Sequence, residues 1–225
     1  HEILDIDKRF ALEKLHWERF ENRMSELSVK SDWFRDTLSK QEIAINDKQY
    51  YNINYLYDKI KAKESWFYPE FVGRWSHSDL HFSNILVDLQ NNDFILVDPR
   101  GYEFCDYYYD FGKIWHSVEG KYELIADGLF KVSDIAEGNY FEIVQNNAYD
   151  SLEGAKSSIM DMFCGLSDEK NDDVILKTEF NNAMHFATLV PFLLEFDTKE
   201  SRARTSYYQS VILMNDFCKK HGIIN

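Results

Sequence analysis

His77-Ser78-Asp79-Leu80-His81-Phe82-Ser83-Asn84-Ile85-Leu86-Val87 is the stretch around which the rest of the chain can be organised. Its apolar end, Ile85-Leu86-Val87, is answered by a second apolar run, Phe94-Ile95-Leu96-Val97, across the polar segment 88–93. Two short apolar runs around a turn of Asp and Asn residues predict a β-hairpin. Asp79 falls in the tight loop before the hairpin, Asn84 at its entry and Asp98 at its exit. A carboxylate, an amide five residues on, and a second carboxylate fourteen residues beyond that are thus gathered around one hairpin, where the side chains of Asn84 and Asp98 can converge.

Phosphoryl transfer asks for this set of groups. Its transition state is loose, so a protein contributes chiefly position and charge neutralisation. Mg²⁺ takes oxygen ligands, and an amide oxygen with a carboxylate is a suitable partial shell that triphosphate oxygens and water complete. A separate carboxylate must orient the attacking hydroxyl and accept its proton. Asp79 stands apart from the Asn84–Asp98 pair and suits that role. The plainer reading makes Asp79 a turn cap and Asn84 and Asp98 strand ends, all common work for these residues.

The same residues carry a resemblance. The kinase catalytic loop reads H-x-D-L-x-x-x-N with a metal-binding aspartate following on a nearby strand, and His77, Asp79, Leu80, Asn84 and Asp98 stand at the matching places. With His81 after Leu80, the loop is closer to that of the aminoglycoside phosphotransferase and choline kinase group. Downstream, Cys105-Asp106-Tyr107-Tyr108-Tyr109-Asp110-Phe111-Gly112 resembles the group's G-D-x-x-Y-D-L-A segment, which opens a helix. The resemblance covers 75–118. It implies an α+β, mostly helical chain, the C-lobe of a protein-kinase-like fold, with ATP and Mg²⁺ as cofactors and the hydroxyl of a sugar, amino alcohol or similar small molecule as acceptor. It also implies that Asp79 is catalytic, that Asn84 and Asp98 hold the metal, that Asp110 braces the loop backbone, that His77 supports the loop from inside, and that Asp106 has a looser supporting part. His81 is a candidate contact to phosphate or substrate.

Two departures matter. Ser78 replaces the usual glycine, which is harmless unless that backbone needs positive φ. Asp98-Pro99-Arg100-Gly101 replaces the more familiar continuation, and Arg100 either holds an anionic substrate or pairs with a surface acid. This D-P-R-G, with the Y-D-x-x-K-x-x-H-S of Tyr109 to Ser117, looks like a bacterial subgroup linked to capsule and surface-polysaccharide synthesis.

Working outward, Phe10, Trp17, Phe20, Met24 and Leu27 share one face of a helix over 8–28, as period 3.6 requires. Tyr50, Ile53, Tyr57 and Ile60 repeat the pattern and predict a helix over 47–63. A short strand is predicted at 71–75 and helices at 107–118, 150–166, 172–190 and 198–219. Between them, 122–144 reads as short and β-like. One unit results: helices 1–70, a catalytic core 71–118, a small β insertion 119–148, and a helical substrate-side region 149–225. Tyr107, Tyr108, Trp115, Tyr207 and Tyr208 either stack on a sugar ring or pack in the core.

No stretch of the chain is glycine-rich, and the 1–70 segment shows neither a β-sheet pattern nor a V-A-I-K-like segment. In kinase-like enzymes a smaller lobe supplies the glycine-bearing loop and a lysine for the α- and β-phosphates. The expectation is therefore an upstream N-lobe as partner, with Glu2-Ile3-Leu4 at the end of the hinge and slight activity in this chain alone. The alternative is a catalytically silent, pseudokinase-like interaction module. A protein kinase is disfavoured by the lack of an A-P-E-like segment.

Bulk composition agrees with a packed enzyme-sized unit. The 225 residues are 44% hydrophobic and include only nine glycines and three prolines, leaving little for linkers. The formal charge of −14 repels phosphate backbones, so nucleic acid and anionic membranes make poor partners. Cys105, Cys164 and Cys218 form no CxxC pair, and reduced thiols in a cytoplasmic protein are expected. No apolar run reaches the roughly 18 residues of a membrane span.

Overall fold

The computed structural model describes residues 3–74, 76–135, 138–144, 147–195 and 200–225. They form an α+β, mostly helical structure with two small sheets. The chain opens on α1 (Lys8–Leu12), a π-helical turn (Glu13–Trp17) and α2 (Glu18–Lys30), continuous in sequence. Asp7 caps the entry by accepting a hydrogen bond from the Phe10 amide at 2.8 Å. Trp17, Phe20, Met24 and Leu27 bury the predicted stripe, whereas Phe10 is left half exposed. Ser31 caps α3 (Asp32–Leu38) through the Phe34 amide.

The helix expected over 47–63 is shorter. Residues up to 51 belong instead to a hairpin of β1 (Glu42–Ile45) and β2 (Lys48–Tyr51), and only α4 (Ile53–Lys61) is helical. Asn46 and Asp47 turn the hairpin with φ of 50° and 62°. Both central residues of such a two-residue turn sit in the left-handed region, which Asn and Asp tolerate better than most. Asn52 ends the strand and starts the helix: its Oδ1 accepts from the Ile53 amide, and its Nδ2 donates to the Thr37 and Lys40 carbonyls. Tyr50 therefore completes the apolar spacing from a strand.

The 1–70 segment thus contributes sheet after all. Strand order is β2-β1-β6-β5, with β5 (Phe130–Ile135) and β6 (Gly138–Ile143) supplied by the expected β insertion. The β1–β6 contact is parallel and brief, one register pair at Ile45 and Asn139. The Asn46 side chain extends it by accepting from the Phe141 amide at 2.8 Å and donating to the Phe141 carbonyl at 2.7 Å. The insertion is consequently tied to the N-terminal helices. Its first part, Tyr122–Ala126, is helical (α6) rather than β-like, and Glu137 lies outside the described residues.

The hairpin over the central stretch forms as read: β3 (Ile85–Asp88) pairs antiparallel with β4 (Asp93–Leu96), Ile85 opposite Leu96. The strand expected at 71–75 reduces to bridges at Gly73, one to Ile3 and one to Cys105; Trp75 and Glu2 lie outside the described residues.

Four more helices enclose this framework: α5 (Tyr107–Val118), α7 (Asn147–Leu166), α8 (Asn171–Leu194) and α9 (Ser201–Lys220). Residues 198 and 199 of the expected last helix lie outside the described residues. α8 is the central post, burying Phe180, Met184, Ala187 and Val190 among α2, α4 and α9. Gly112 lets α5 press against it, since a Cβ there would meet the Asn181 Cβ at 2.3 Å. Tyr108, Trp115, Tyr207 and Tyr208 are buried core residues, which settles the choice between core and sugar stacking for those four. Among the described residues, no helix is long and apolar enough to cross a membrane.

Candidate functional site

The 77–84 loop lies along one face of α5, and the helix period explains how it is held. Asp110, Lys113 and Ser117 are spaced by three and four residues, so they project from one side. Asp110 accepts from the backbone amides of His77 at 2.8 Å and Ser78 at 2.7 Å, one with each carboxylate oxygen. Lys113 places its ammonium 2.9 Å from Asp79 Oδ1. Ser117 Oγ accepts from the Phe82 amide at 2.9 Å and donates to Glu123.

Position 78 meets the condition under which losing a glycine matters. Ser78 has φ of 62°, a conformation costing a side-chain-bearing residue about 1–2 kcal/mol. Its amide bond to Asp110 and a 2.6 Å contact between its hydroxyl and that of Ser76 hold it there, fully buried. Asp98 is a second such residue, φ 58°, directly before Pro99, and Gly101 follows at 65°. Ser78 before the hairpin and Asp98 at its exit thus both hold a side-chain-bearing residue in the left-handed region, a local strain that the surrounding bonds must offset.

Asp79 sits between two cations. Arg100 Nε reaches Oδ2 at 3.0 Å while Lys113 holds Oδ1. Burial works to raise the Asp79 carboxyl, but Lys113 and then Arg100 outweigh it and leave the group below its ordinary value. Lys113 is buried, and burial pushes its ammonium down to about 8 against the pull of Asp79. Arg100 pairs with Asp79 rather than with a surface acid, and its side chain remains 35% exposed.

Asn84 is buried, and its Nδ2 donates to the Asp79 carbonyl at 2.9 Å. That bond fixes the amide with its oxygen as the end free of protein partners among the described residues. Asp98 is exposed at the other end of the hairpin. The two residues are close through the backbone, because the Val97 amide donates to the Asn84 carbonyl at 3.0 Å. No hydrogen bond joins their side chains. Among the described residues, no group of three His, Cys, Asp or Glu side chains is arranged to hold a metal.

The remaining candidates divide. His77 donates from Nε2 to the Val97 carbonyl at 2.8 Å, and its own carbonyl accepts from the Arg100 amide, so it links the loop to the hairpin exit. The His81 ring packs against Tyr122 with centroids 4.8 Å apart, and its Nδ1 lies 3.6 Å from Glu123. Asp106 caps α5 by accepting from the Tyr109 amide, and burial raises its carboxyl to about 7. Burial likewise raises Asp110, more than its two amide bonds lower it.

Lys113 and Ser117 were not singled out from sequence, although both lie within the Y-D-x-x-K-x-x-H-S pattern. The usable signal was their spacing from Asp110. His116 in the same pattern points elsewhere, packed on Phe186 at 3.8 Å between centroids and held neutral by burial and then by Lys113. Compared with models of protein families, with curated proteins and with solved structures, the chain finds no match.

Proposed function

We propose that this chain is the catalytic C-lobe of a kinase-like phosphotransferase that moves the γ-phosphoryl group of ATP to a hydroxyl of a small molecule. The observation that carries this reading is the ionised Asp79, held at a partly open position by Lys113 and Arg100 at the head of a loop that α5 braces. In the transfer, the acceptor oxygen bonds to the γ-phosphorus as the bond from that phosphorus to the β–γ bridging oxygen breaks. The hydroxyl proton passes to Asp79, and ADP leaves. A carboxylate with a low pKa is a weak base, which suits a loose transition state in which the proton moves late and position matters more than basicity. Asn84 and Asp98 would hold Mg²⁺, which neutralises charge on the triphosphate; the free Asn84 oxygen and the exposed Asp98 carboxylate fit a shell that leaves most places to phosphate and water.

The hairpin supports a companion lobe. Leu86 and Ile95 are exposed on one side of the hairpin, and Val87, Phe94 and Leu96 form an exposed apolar face on the other, with Asn84 and Asp98 flanking the strands. An N-lobe with the glycine-bearing loop and the phosphate-binding lysine would cover that face and close over the nucleotide. The same exposed face favours the second reading, a pseudokinase-like module that uses the hairpin to dock a protein.

Thermal unfolding with and without Mg²⁺-ATP, on wild type and Asp98→Ala, tests the enzyme reading. A ligand at a hundredfold excess over its Kd stabilises by about 2.7 kcal/mol. The expected result is an upward, Mg²⁺-dependent shift in wild type that Asp98→Ala loses. No shift, either in this chain or with an N-lobe supplied, would leave the docking module as the better reading.

A further inference from the structure

We infer that the acceptor taken by this site is an anion, a hydroxyl compound bearing a phosphate or carboxylate group, and that its charge is received by Arg19 and Arg100. The inference rests on the phosphotransferase reading and names its substrate class.

A cleft of about 550 Å³ opens between the first helices and the 100–104 segment, reaching Asp79 through its partner Arg100. Arg100 is shared: its Nε holds Asp79, and the same side chain lines the cleft. Arg19 lines the opposite wall. Its Nη1 contacts the hydroxyls of Tyr102 and Tyr109, and no carboxylate lies within ion-pair distance of it among the described residues. Asp79 is thus paired with Lys113 and Arg100, and Arg100 shares the cleft with a second guanidinium, that of Arg19.

The acids of the cleft do not cancel this excess at Arg19. Glu18 pairs with Lys14, and Glu26 pairs with Arg23 and Lys30. Glu103 is exposed on the rim segment. In a protein with a net charge of −14, a cationic wall at the candidate base is a local reversal of sign. A guanidinium fork is also the side chain best shaped for bidentate recognition of phosphate or carboxylate.

The arrangement couples binding to chemistry. While Arg100 holds Oδ2, Asp79 has both oxygens engaged by cations. An anionic acceptor bridging Arg19 and Arg100 draws Arg100 into the cleft and releases Oδ2 toward the acceptor hydroxyl. Uncharged or cationic alcohols lack that lever, and an ammonium group meets repulsion at the same wall. The acceptor side is thereby assigned to the first helices and the 100–104 segment, not to 149–225.

The test is calorimetric titration of the folded chain at low salt with glucose 6-phosphate, glucose and glucosamine as probes, on wild type, Arg19→Gln and Arg19→Lys. Circular dichroism of each variant verifies its fold. The expected result is binding of the phosphate ester only, weakened about tenfold or more in Arg19→Gln, less in Arg19→Lys, and reduced by salt. Equal binding by wild type and Arg19→Gln, no phosphate-ester binding at all, or preference for glucosamine would overturn the inference. The Mg²⁺-ATP shift at Asp98 is measured independently. If it persists while the anion result fails, only the acceptor class falls; if anion binding persists and no nucleotide binds with an N-lobe supplied, the phosphotransferase reading falls and the acceptor assignment with it.

Discussion

The 77–84 loop and the β3–β4 hairpin are continuous in sequence and opposite in character. The loop is short and irregular, yet it is fastened at Asp110, Lys113 and Ser117 by groups that α5 delivers at helical spacing. The hairpin is regular, its ladder complete from Ile85–Leu96 to Asp88–Asp93, and its apolar side chains face solvent. Regular backbone is no guide here to which region is energetically integrated. The irregular loop is bound to the core by charge-assisted bonds in a partly desolvated place, where each is stronger than in water. The regular hairpin contributes little buried surface to this chain.

Breaking the brace should do the most damage. Asp110→Ala leaves the His77 and Ser78 amides without their acceptor, and the hydroxyl contact to Ser76 as the remaining hydrogen bond on the left-handed Ser78. Losing two charge-assisted bonds should lower stability by about 3 kcal/mol or more, and those two amides should exchange faster with solvent. Urea unfolding with native-state hydrogen exchange would show it; unchanged protection at 77 and 78 would mean that the loop is held by other contacts.

Lys113→Ala comes next, at about 3 kcal/mol, because removing one partner of a buried ion pair strands the other. Lys113→Met should cost less by keeping the packed stem. In both variants the Asp79 carboxyl should rise, since its main cationic neighbour is gone, and carbon-detected NMR of the carboxylates would follow it. A carboxyl that does not move would place the control of Asp79 in Arg100 alone.

Asp106→Asn gives a smaller, pH-dependent effect. The folded value, about 7, lies above the roughly 4 of an unfolded aspartate. Between these limits the folded state binds a proton that the unfolded state releases, so this group makes stability fall as pH rises from about 4 to about 7. Asn keeps the cap on Tyr109 and does not titrate. The variant should therefore show a shallower decline across that window; an unchanged slope would show that Asp106 is ionised throughout.

Substitutions on the hairpin face should matter least. Phe94→Ser or Ile95→Thr should change the free energy of urea unfolding by no more than about 0.5 kcal/mol, as for other exposed sites. A loss above 1 kcal/mol would show the hairpin to be packed within this chain and erase the contrast.

What sequence revealed follows the same division. The helical stripes ending at Leu27 and the β3–β4 runs were legible because period 3.6 and short apolar runs around turns are local signals. The β1–β2 hairpin was not. Its turn is Asn46-Asp47 rather than a glycine-bearing pair, and Tyr50 falls by chance at helical spacing from Ile53 and Tyr57. The order His77, Asp79, Asn84, Asp98 could be read directly. The Arg100–Asp79 and Lys113–Asp79 pairs could not, because they depend on how α5 and the hairpin exit lie against the loop. Arg19 was hidden for a related reason: it lies eighty-three residues before Tyr102 and meets it only across the cleft.

The short parallel contact between β1 and β6 has a kinetic consequence. The Asn46–Phe141 bonds join residues 95 positions apart, and the chain between them contains the loop, the hairpin and α5. Closing so large a circuit gains almost nothing until the intervening segment is compact, and non-local pairings of this kind slow folding. The sheet should then be among the last parts to form, acting as a clasp whose closure reports that everything inside the circuit is already in place. A nascent or heat-stressed chain with the clasp open would expose the edges of β1 and β6 together, and those edges are where quality control or self-association would first take hold.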